Sequence, residues 1–380
     1  MNLKVVSHSR DISISASALC AITSFILLWS AGCSDDGPAA QPAQDTPDQE
    51  ILLSIDSESV LVATCGDLLT VAGSNVLQCW RWGDLATSPR EFRFDLDWLP
   101  QWKSRATPYP LNDVYGVMDG DVFVCPLHQK DDTFLTVRSL QDGGEIKRWS
   151  LGREWCCRRL RGSRDGAYMA IYVQQDIMVV PAWTARHRVG LIQGQSESVQ
   201  WITEIQVRPF GKPAIGGIAC SDNGEYVVAV GACEGGFIHV ASVPKQGLLW
   251  EKVPTASEIP IGRWTVNFND VCFSPDSTRV YVAGNTGLFC FDTVTGSILG
   301  QWEVPTRCMS VAVSPDGRLV AGALLANGRV YVWDADTGQR LHDIQSGQHS
   351  VYGLAFSPDG SLLATSGVMN TGVRIWSMSD

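Results

Sequence analysis

Three stretches near the C-terminus repeat one another: Val271-Cys-Phe-Ser-Pro-Asp-Ser277, Val311-Ala-Val-Ser-Pro-Asp-Gly317 and Leu354-Ala-Phe-Ser-Pro-Asp-Gly360. Ser274, Ser314 and Ser357 stand 40 and then 43 residues apart, and self-similarity at such a period marks a stack of supersecondary units. Pro fixes φ, Asp can bond its own backbone and Gly accepts positive φ, so the Ser-Pro-Asp-Gly tetrad is a hairpin corner. Buried strands follow it, Arg318-Leu-Val-Ala-Gly-Ala and Ser361-Leu-Leu-Ala-Thr-Ser, closed at Asn327-Gly328 and Asn370-Thr371-Gly372. Next come the alternating runs Arg329-Val-Tyr-Val-Trp-Asp and Val373-Arg-Ile-Trp, and Asp336-Thr337-Gly338 turns the chain into a fourth strand. A four-stranded antiparallel sheet cannot bury both faces alone, so copies must stack around an axis as the blades of a propeller.

These residues resemble the WD40 repeat family. Trp333-Asp334 is its signature dipeptide, Trp376 and Phe291-Asp292 are degenerate forms, and Gln348-His349 stands where the family has Gly-His. The resemblance implies a hydrogen-bonded tetrad in the last blade made by His349, Ser366, Asn370 (Asn in place of the family's Asp) and Trp376. The two preceding repeats have Asn285 and Asn327 at the matching turn but Val266 and Thr306 in place of the His. Arg279-Val-Tyr-Val-Ala-Gly-Asn-Thr-Gly also resembles the YVTN repeat of bacterial propellers.

Weaker copies lie upstream. Cys220-Ser-Asp-Asn-Gly leads into Tyr226-Val-Val-Ala-Val-Gly and Phe237-Ile-His-Val; Ser163-Arg-Asp-Gly leads into Tyr168-Met-Ala-Ile-Tyr-Val and Ile177-Met-Val-Val. Met118-Asp-Gly-Asp-Val-Phe-Val-Cys and the pair Leu68-Leu-Thr-Val-Ala-Gly with Val76-Leu-Gln-Cys-Trp bring the count to seven. The expected fold is therefore all-β, a seven-bladed propeller of four-stranded antiparallel blades over residues 51–380. The last blade stops at its third strand, and Ile51-Leu-Leu-Ser-Ile, just before blade one, is expected to supply its fourth and close the ring.

The first residues follow another logic. Lys4 and Arg10 precede an apolar, Ser-rich stretch from Ile12 to Trp29 that ends in Ser30-Ala31-Gly32-Cys33. This resembles a bacterial lipoprotein signal, which implies a signal peptide at 1–32 and a lipid on Cys33; an uncleaved membrane anchor is the other reading. Residues 33–50 then read as a flexible acidic linker. Either reading exports the propeller and holds it at a bacterial membrane.

The chain carries 29 Lys and Arg against 40 Asp and Glu. Taking off residues 1–50 removes Lys4, Arg10 and six acids, which leaves a net −7 on the propeller. Nucleic acid, whose binding needs a dominant basic surface, is therefore not an expected partner. Of twelve Cys, most of those outside the leader stand inside strands and read as small buried hydrophobes rather than bridges. The adjacent Cys156 and Cys157 point to opposite faces of a strand and read as structural.

Catalytic motifs are absent from the sequence: there is no Gly-x-Ser-x-Gly elbow, phosphate loop or dinucleotide fingerprint. Asp336-Thr-Gly spells the aspartic-protease triplet, but it occupies a blade turn, as Asp292-Thr-Val-Thr-Gly does one blade earlier. No metal or cofactor is implied. The links at 97–112, 193–215 and 254–268 are long and carry Trp98, Trp102, Arg105, Trp201, Arg208, Phe210, Arg263, Trp264 and Phe268. On one face of a propeller, aromatic and Arg residues have the composition of a protein-binding surface, or else fold back over blade ends. A basic cluster, Lys147, Arg148, Arg153, Arg158, Arg159, Arg161 and Arg164, reads as paired surface arginines or as a docking site for a carboxylate- or phosphate-bearing partner. The expectation is a non-catalytic scaffold that binds other proteins and reaches the membrane through its N-terminal lipid. The alternative is an exported propeller enzyme, a lactonase or quinone-cofactor oxidoreductase, with its active site in the axial channel.

Overall fold

The computed structural model describes residues 49–53, 61–72, 76–93, 116–118, 122–129, 132–152, 155–179, 182–194, 196, 198–206, 214–232, 236–252, 267–325, 328–367 and 372–378. The chain divides into Met1–Pro42, which lies outside these residues, and Ala43–Asp380, which holds every element below. The expected signal peptide, Cys33 and most of the expected linker are thus outside the described residues. Among those residues no helix is long and apolar enough to cross a membrane.

Strand β1 (Gln49–Leu53) comes first. Blade one is β2 (Leu61–Cys65), β3 (Leu68–Ala72), β4 (Val76–Arg81) and β5 (Arg90–Arg93); blade two is β6 (Gly116–Met118), β7 (Val122–Gln129), β8 (Asp132–Ser139) and β9 (Glu145–Gly152). Blade three is β10 (Trp155–Gly162), β11 (Tyr168–Val179), β12 (Ala182–Gln193) and β13 (Gln200–Gln206). Blade four is β14 (Ala214–Cys220), β15 (Tyr226–Ala232), β16 (Phe237–Ser242) and β17 (Gly247–Lys252). Blade five is β18 (Phe268–Phe273), β19 (Arg279–Gly284), β20 (Gly287–Asp292) and β21 (Ile298–Trp302). Blade six is β22 (Cys308–Val313), β23 (Leu319–Leu324), β24 (Arg329–Asp334) and β25 (Arg340–Gln345). Blade seven is β26 (Val351–Phe356), β27 (Leu362–Gly367) and β28 (Val373–Ser377), completed by β1 in the order β1-β28-β27-β26. The pairing of β1 with β28 is antiparallel, with Leu53 opposite Val373, so the N-terminal strand closes the ring as the sequence leads one to expect.

Apolar side chains fill the spaces between blades. The seven described core clusters each draw on two neighbouring blades, from blades one and two around Leu77 and Phe123 to blades six and seven around Val332 and Leu354. The cluster between blades seven and one contains Leu53, Val71, Trp80 and Ile375, which ties β1 to both ends of the ring. Close approach between first strands also needs glycine: a Cβ on Gly216 of β14 would lie 2.0 Å from the Phe268 carbonyl oxygen of β18.

The repeated tetrad works by one hydrogen-bond pattern. In blade seven, Ser357 Oγ donates to Asp359 Oδ1 at 2.6 Å and accepts from the Leu362 N–H at 2.9 Å, while Asp359 Oδ1 accepts from the Ser361 N–H at 3.0 Å. Ser163–Asp165, Ser274–Asp276 and Ser314–Asp316 repeat it, and Ser221 does the same with Asn223. Gly166, Gly224, Gly317 and Gly360 take positive φ; in blade five Ser277 takes that conformation at φ 61°.

The donors from Ser357 and Ser361 hold the Asp359 carboxyl below the usual carboxylate range. Its folded pKa is therefore below the unfolded one, so its charge stabilises the fold above about pH 4 and that contribution is lost as pH falls through the folded value. Blade four already uses Asn here, so Asp359→Asn keeps the geometry and removes the charge. We expect the variant's urea midpoint to lie below wild type at pH 7 and the gap to narrow as the pH is lowered below about 4; a gap independent of pH would show that the charge contributes nothing.

Two local readings change. Ile177-Met-Val-Val does not start a third strand: β11 runs unbroken from Tyr168 to Val179, and its hairpin partner β12 begins at Ala182. Phe268 is not in a link but begins β18, where it is buried.

Candidate functional site

The first strands of the blades pack side by side around the axis, and the cavity they enclose holds about 580 Å³. Its walls come from β2, β10, β14, β18, β22 and β26 and from the turns that follow them. A first strand has a sister on one side only, so its other edge offers unpaired backbone groups to the channel. Side chains from neighbouring blades take them up. Thr64 Oγ1 donates to the Phe356 carbonyl at 2.6 Å, Arg159 Nη2 to the Ile215 carbonyl at 3.3 Å, and Asn269 Nδ2 to the Cys308 carbonyl at 2.7 Å.

Two charged sets cross the channel. In its middle, Arg161 Nη1 of blade three donates to Asp270 Oδ1 of blade five at 2.5 Å and to the Val271 carbonyl at 3.1 Å. The other oxygen of Asp270 accepts from Ser310 Oγ at 2.8 Å and from the Val311 N–H at 3.1 Å, both in blade six. At the end formed by the turns after the first strands, Arg164 bonds Asp222 through its backbone N–H at 3.1 Å and Nε at 2.9 Å, and its Nη1 donates to the Ser314 carbonyl at 3.2 Å.

The described members of the basic cluster do not lie together: some line the channel and others are paired on the outer strand of blade two. Arg159 and Arg161 of β10 and Arg164 of the turn after it line the channel; a bulge between Cys157 and Arg159 sets the two strand arginines on the face opposite Cys157. Arg158 sits in that bulge, half-buried. Lys147 and Arg148 are on β9, where Lys147 Nζ reaches the Ser196 carbonyl at 2.6 Å and Arg148 forks onto Glu145 at 2.5 and 2.9 Å. Arg153 lies outside the described residues.

Of the candidate partner-binding residues, Trp98, Trp102, Arg105, Arg208, Phe210, Arg263 and Trp264 also lie outside the described residues. Trp201 is placed, but not in a link: it is on β13, the outermost strand of blade three, opposite Gly190 and 36 % exposed. Alternation explains the correction, since Gln200–Gln206 continues the sheet where the sequence suggested a loop.

The expected tetrad is shifted by one residue at two positions. Trp376 Nε1 donates to Thr365 Oγ1 at 3.1 Å, Thr365 Oγ1 donates to Gln348 Oε1 at 2.8 Å, and Gln348 Nε2 donates to the Gly372 carbonyl at 2.9 Å. Gln348 is buried whereas His349 is exposed and turns to Ser350; Ser366 is buried beside the network without joining it. Asn370 is outside the described residues. In blade six Trp333 is buried, and Asp334 Oδ1 accepts from the Thr337 N–H and hydroxyl at 2.7 Å each, which holds its carboxyl below the usual range. Asp336 is exposed and pairs with Arg279 at 3.0 Å, the arrangement of a blade turn.

Cys79, Cys157, Cys220, Cys272, Cys290 and Cys308 form no disulfide. Burial pushes Cys79, Cys220 and Cys272 up to about 12 and Cys290 up to about 11, so none of these four is a thiolate nucleophile while it stays buried. The buried His187 ring meets the Tyr172 hydroxyl, and His239 Nε2 lies 3.0 Å from Glu251. Among the described residues no group of His, Cys, Asp and Glu has the spacing of a metal site.

Residues 296–334 and 338–377 match the WD domain, G-beta repeat. Each match begins at the fourth strand of one blade and runs through the third strand of the next, the same one-strand offset that leaves β1 to complete blade seven. In fold the chain is similar to the β-propeller domain of Myceliophteria thermophila Cps50 (Swd1), at 13 % identity and a TM-score of 0.61 over 87 % of this chain and 100 % of that one. No curated protein matches it in sequence. At that identity the likeness shows a shared propeller and nothing finer.

Proposed function

We propose that this protein is a non-catalytic interaction scaffold: a WD40-like propeller exported across a bacterial membrane, tethered by a lipid on Cys33, and holding another protein at the face where the long links enter the first strands. Propellers with WD40 repeats are in general platforms for protein binding, and the repeat matches support that much. The observation that carries the non-catalytic reading is the state of Asp270. This carboxylate of the cavity has both oxygens engaged, by Arg161 and the Val271 N–H on one side and by Ser310 and the Val311 N–H on the other. A general acid or base needs an oxygen open to substrate, and these are committed to holding three blades together.

Tether and binding face are tested separately. Cys33→Ala is expected to move the protein from the membrane to the aqueous fraction with its circular dichroism unchanged; retention in the membrane would favour the uncleaved anchor. For the face, proximity labelling in the native cell identifies neighbours, and Trp102→Ala with Trp264→Ala is expected to cut recovery of the main one by at least about tenfold, the effect of losing aromatic anchors. Unchanged recovery with the fold intact would remove the link face from consideration, and unfolding would assign these rings to the core.

A further inference from the structure

The turns after the first strands follow the Ser-Pro-Asp pattern in blades five to seven but depart from it in blades three and four, at one and the same position. Where Pro275, Pro315 and Pro358 stand, blade three has Arg164 and blade four has Asp222. Those two departures meet as an ion pair at 2.9 Å. Arg164 goes further than its partner: its carbonyl accepts from the Gly66 N–H of blade one at 2.6 Å, and its guanidinium reaches the Ser314 carbonyl of blade six. One residue thus joins blades one, three, four and six across the end of the channel, and Pro315 and Pro358 line the same end. A proline there could neither donate an N–H nor extend a cation.

We propose that Arg164 and Asp222 form a releasable clasp that shuts the turn-side mouth of the axial channel until the pair parts. Both partners are little more than a quarter exposed, so the pair is held by charge within reach of screening salt. The bond from Gly66 is a backbone contact that salt does not weaken, and it limits how far the mouth opens. The device gives the propeller two states of its channel without moving a blade, and the binding face described above is not needed for it.

Native cysteines report the state of the mouth. Cys65 immediately precedes Gly66, Cys220 lies two residues before Asp222, and both line the cavity while buried. Cys308 is fully buried between blades five and six and serves as the control. Alkylation of the full-length protein by a biotin-linked maleimide too bulky for a closed mouth, followed by peptide mass spectrometry, measures each rate. Arg164→Ala and Asp222→Asn are each expected to raise the rates at Cys65 and Cys220 by at least about tenfold and to leave Cys308 unchanged. In the wild type, moving from 0.05 to 1 M salt should raise the same two rates and not the third. Rates at Cys65 and Cys220 that are already high in the wild type, or unchanged in both variants, would overturn the clasp. An equal rise at Cys308 would also overturn it, because that is loosening of the whole ring. Should Arg164→Ala fail to fold, Asp222→Asn and the salt series decide.

Discussion

Deleting Gln49–Leu53 is expected to lower the thermal midpoint by about 10 °C, far more than removal of five residues from an exposed turn. The strand carries Leu53 into the cluster between blades seven and one, and a buried Leu truncated to Ala costs about 2–5 kcal/mol before any backbone bond is counted. The ladder from Ile51 to Leu53 against Val373–Ile375 is lost as well, and β28 becomes an open edge. At roughly 2–4 °C per kcal/mol for a large domain, a loss of about 4 kcal/mol gives the stated shift. A rescue separates this cause from general damage. Blade seven runs in chain order through its first three strands, and β1 pairs antiparallel with the third. Appending Gln-Glu-Ile-Leu-Leu after Asp380 through a short turn therefore restores the order found in the other six blades, and should recover most of the midpoint. A deletion no worse than the turn control, or an appended strand that recovers nothing, would show that closure is not where the stability lies.

That closing strand was readable because its signal is unambiguous: a blade short of one strand at one end of the chain and an orphan apolar run at the other. Where sequence reasoning slipped, a count of one residue was at stake. In blade three, Gln174-Gln175-Asp176 resembles a polar turn between two apolar runs, yet these residues pair in β11 with Ala185, Arg186 and His187, and Gln174 and Gln175 are buried there. Gln348 and Thr365 were overlooked for their neighbours His349 and Ser366, because in a strand a step of one moves a side chain to the other face. The channel arginines were misread for the same reason. Plain alternation along β10 puts Cys157, Arg159 and Arg161 on one face, but the bulge at Arg158 turns Cys157 away from the two arginines, and bulges carry no reliable signal in a single sequence. What the sequence did hold, and periodicity alone obscured, is that Arg164 and Asp222 replace the proline of the repeat. The chemistry of the channel lies in those departures.

Replacing Asp270 with Ala should be the most damaging single change in the channel, costing about 3 kcal/mol, whereas Arg161→Ala should cost about half as much. The asymmetry follows from the hydrogen bonds. Without Asp270, the Arg161 cation loses its carboxylate inside the ring and Ser310 Oγ and the Val311 N–H lose their acceptor; breaking a buried pair from one side costs about 3–5 kcal/mol, and Arg161 at 31 % exposure recovers part of that from water. Without Arg161, Asp270 keeps Ser310, the Val311 N–H and the Val271 N–H, enough to stay in place. The double variant should cost about 1–2 kcal/mol less than the sum of the singles, the coupling expected of groups in direct contact. Urea unfolding of the four proteins measures all of this. Equal single effects would mean that Asp270 is held by Arg161 alone, and additive effects would mean that the two do not interact. Either result would free a carboxylate in the middle of a 580 Å³ cavity for chemistry, and would shift the balance from scaffold to enzyme. The predicted asymmetry instead places Asp270 as the bolt between blades three, five and six, which leaves the proposed partner-binding face as the part of the molecule free to carry function.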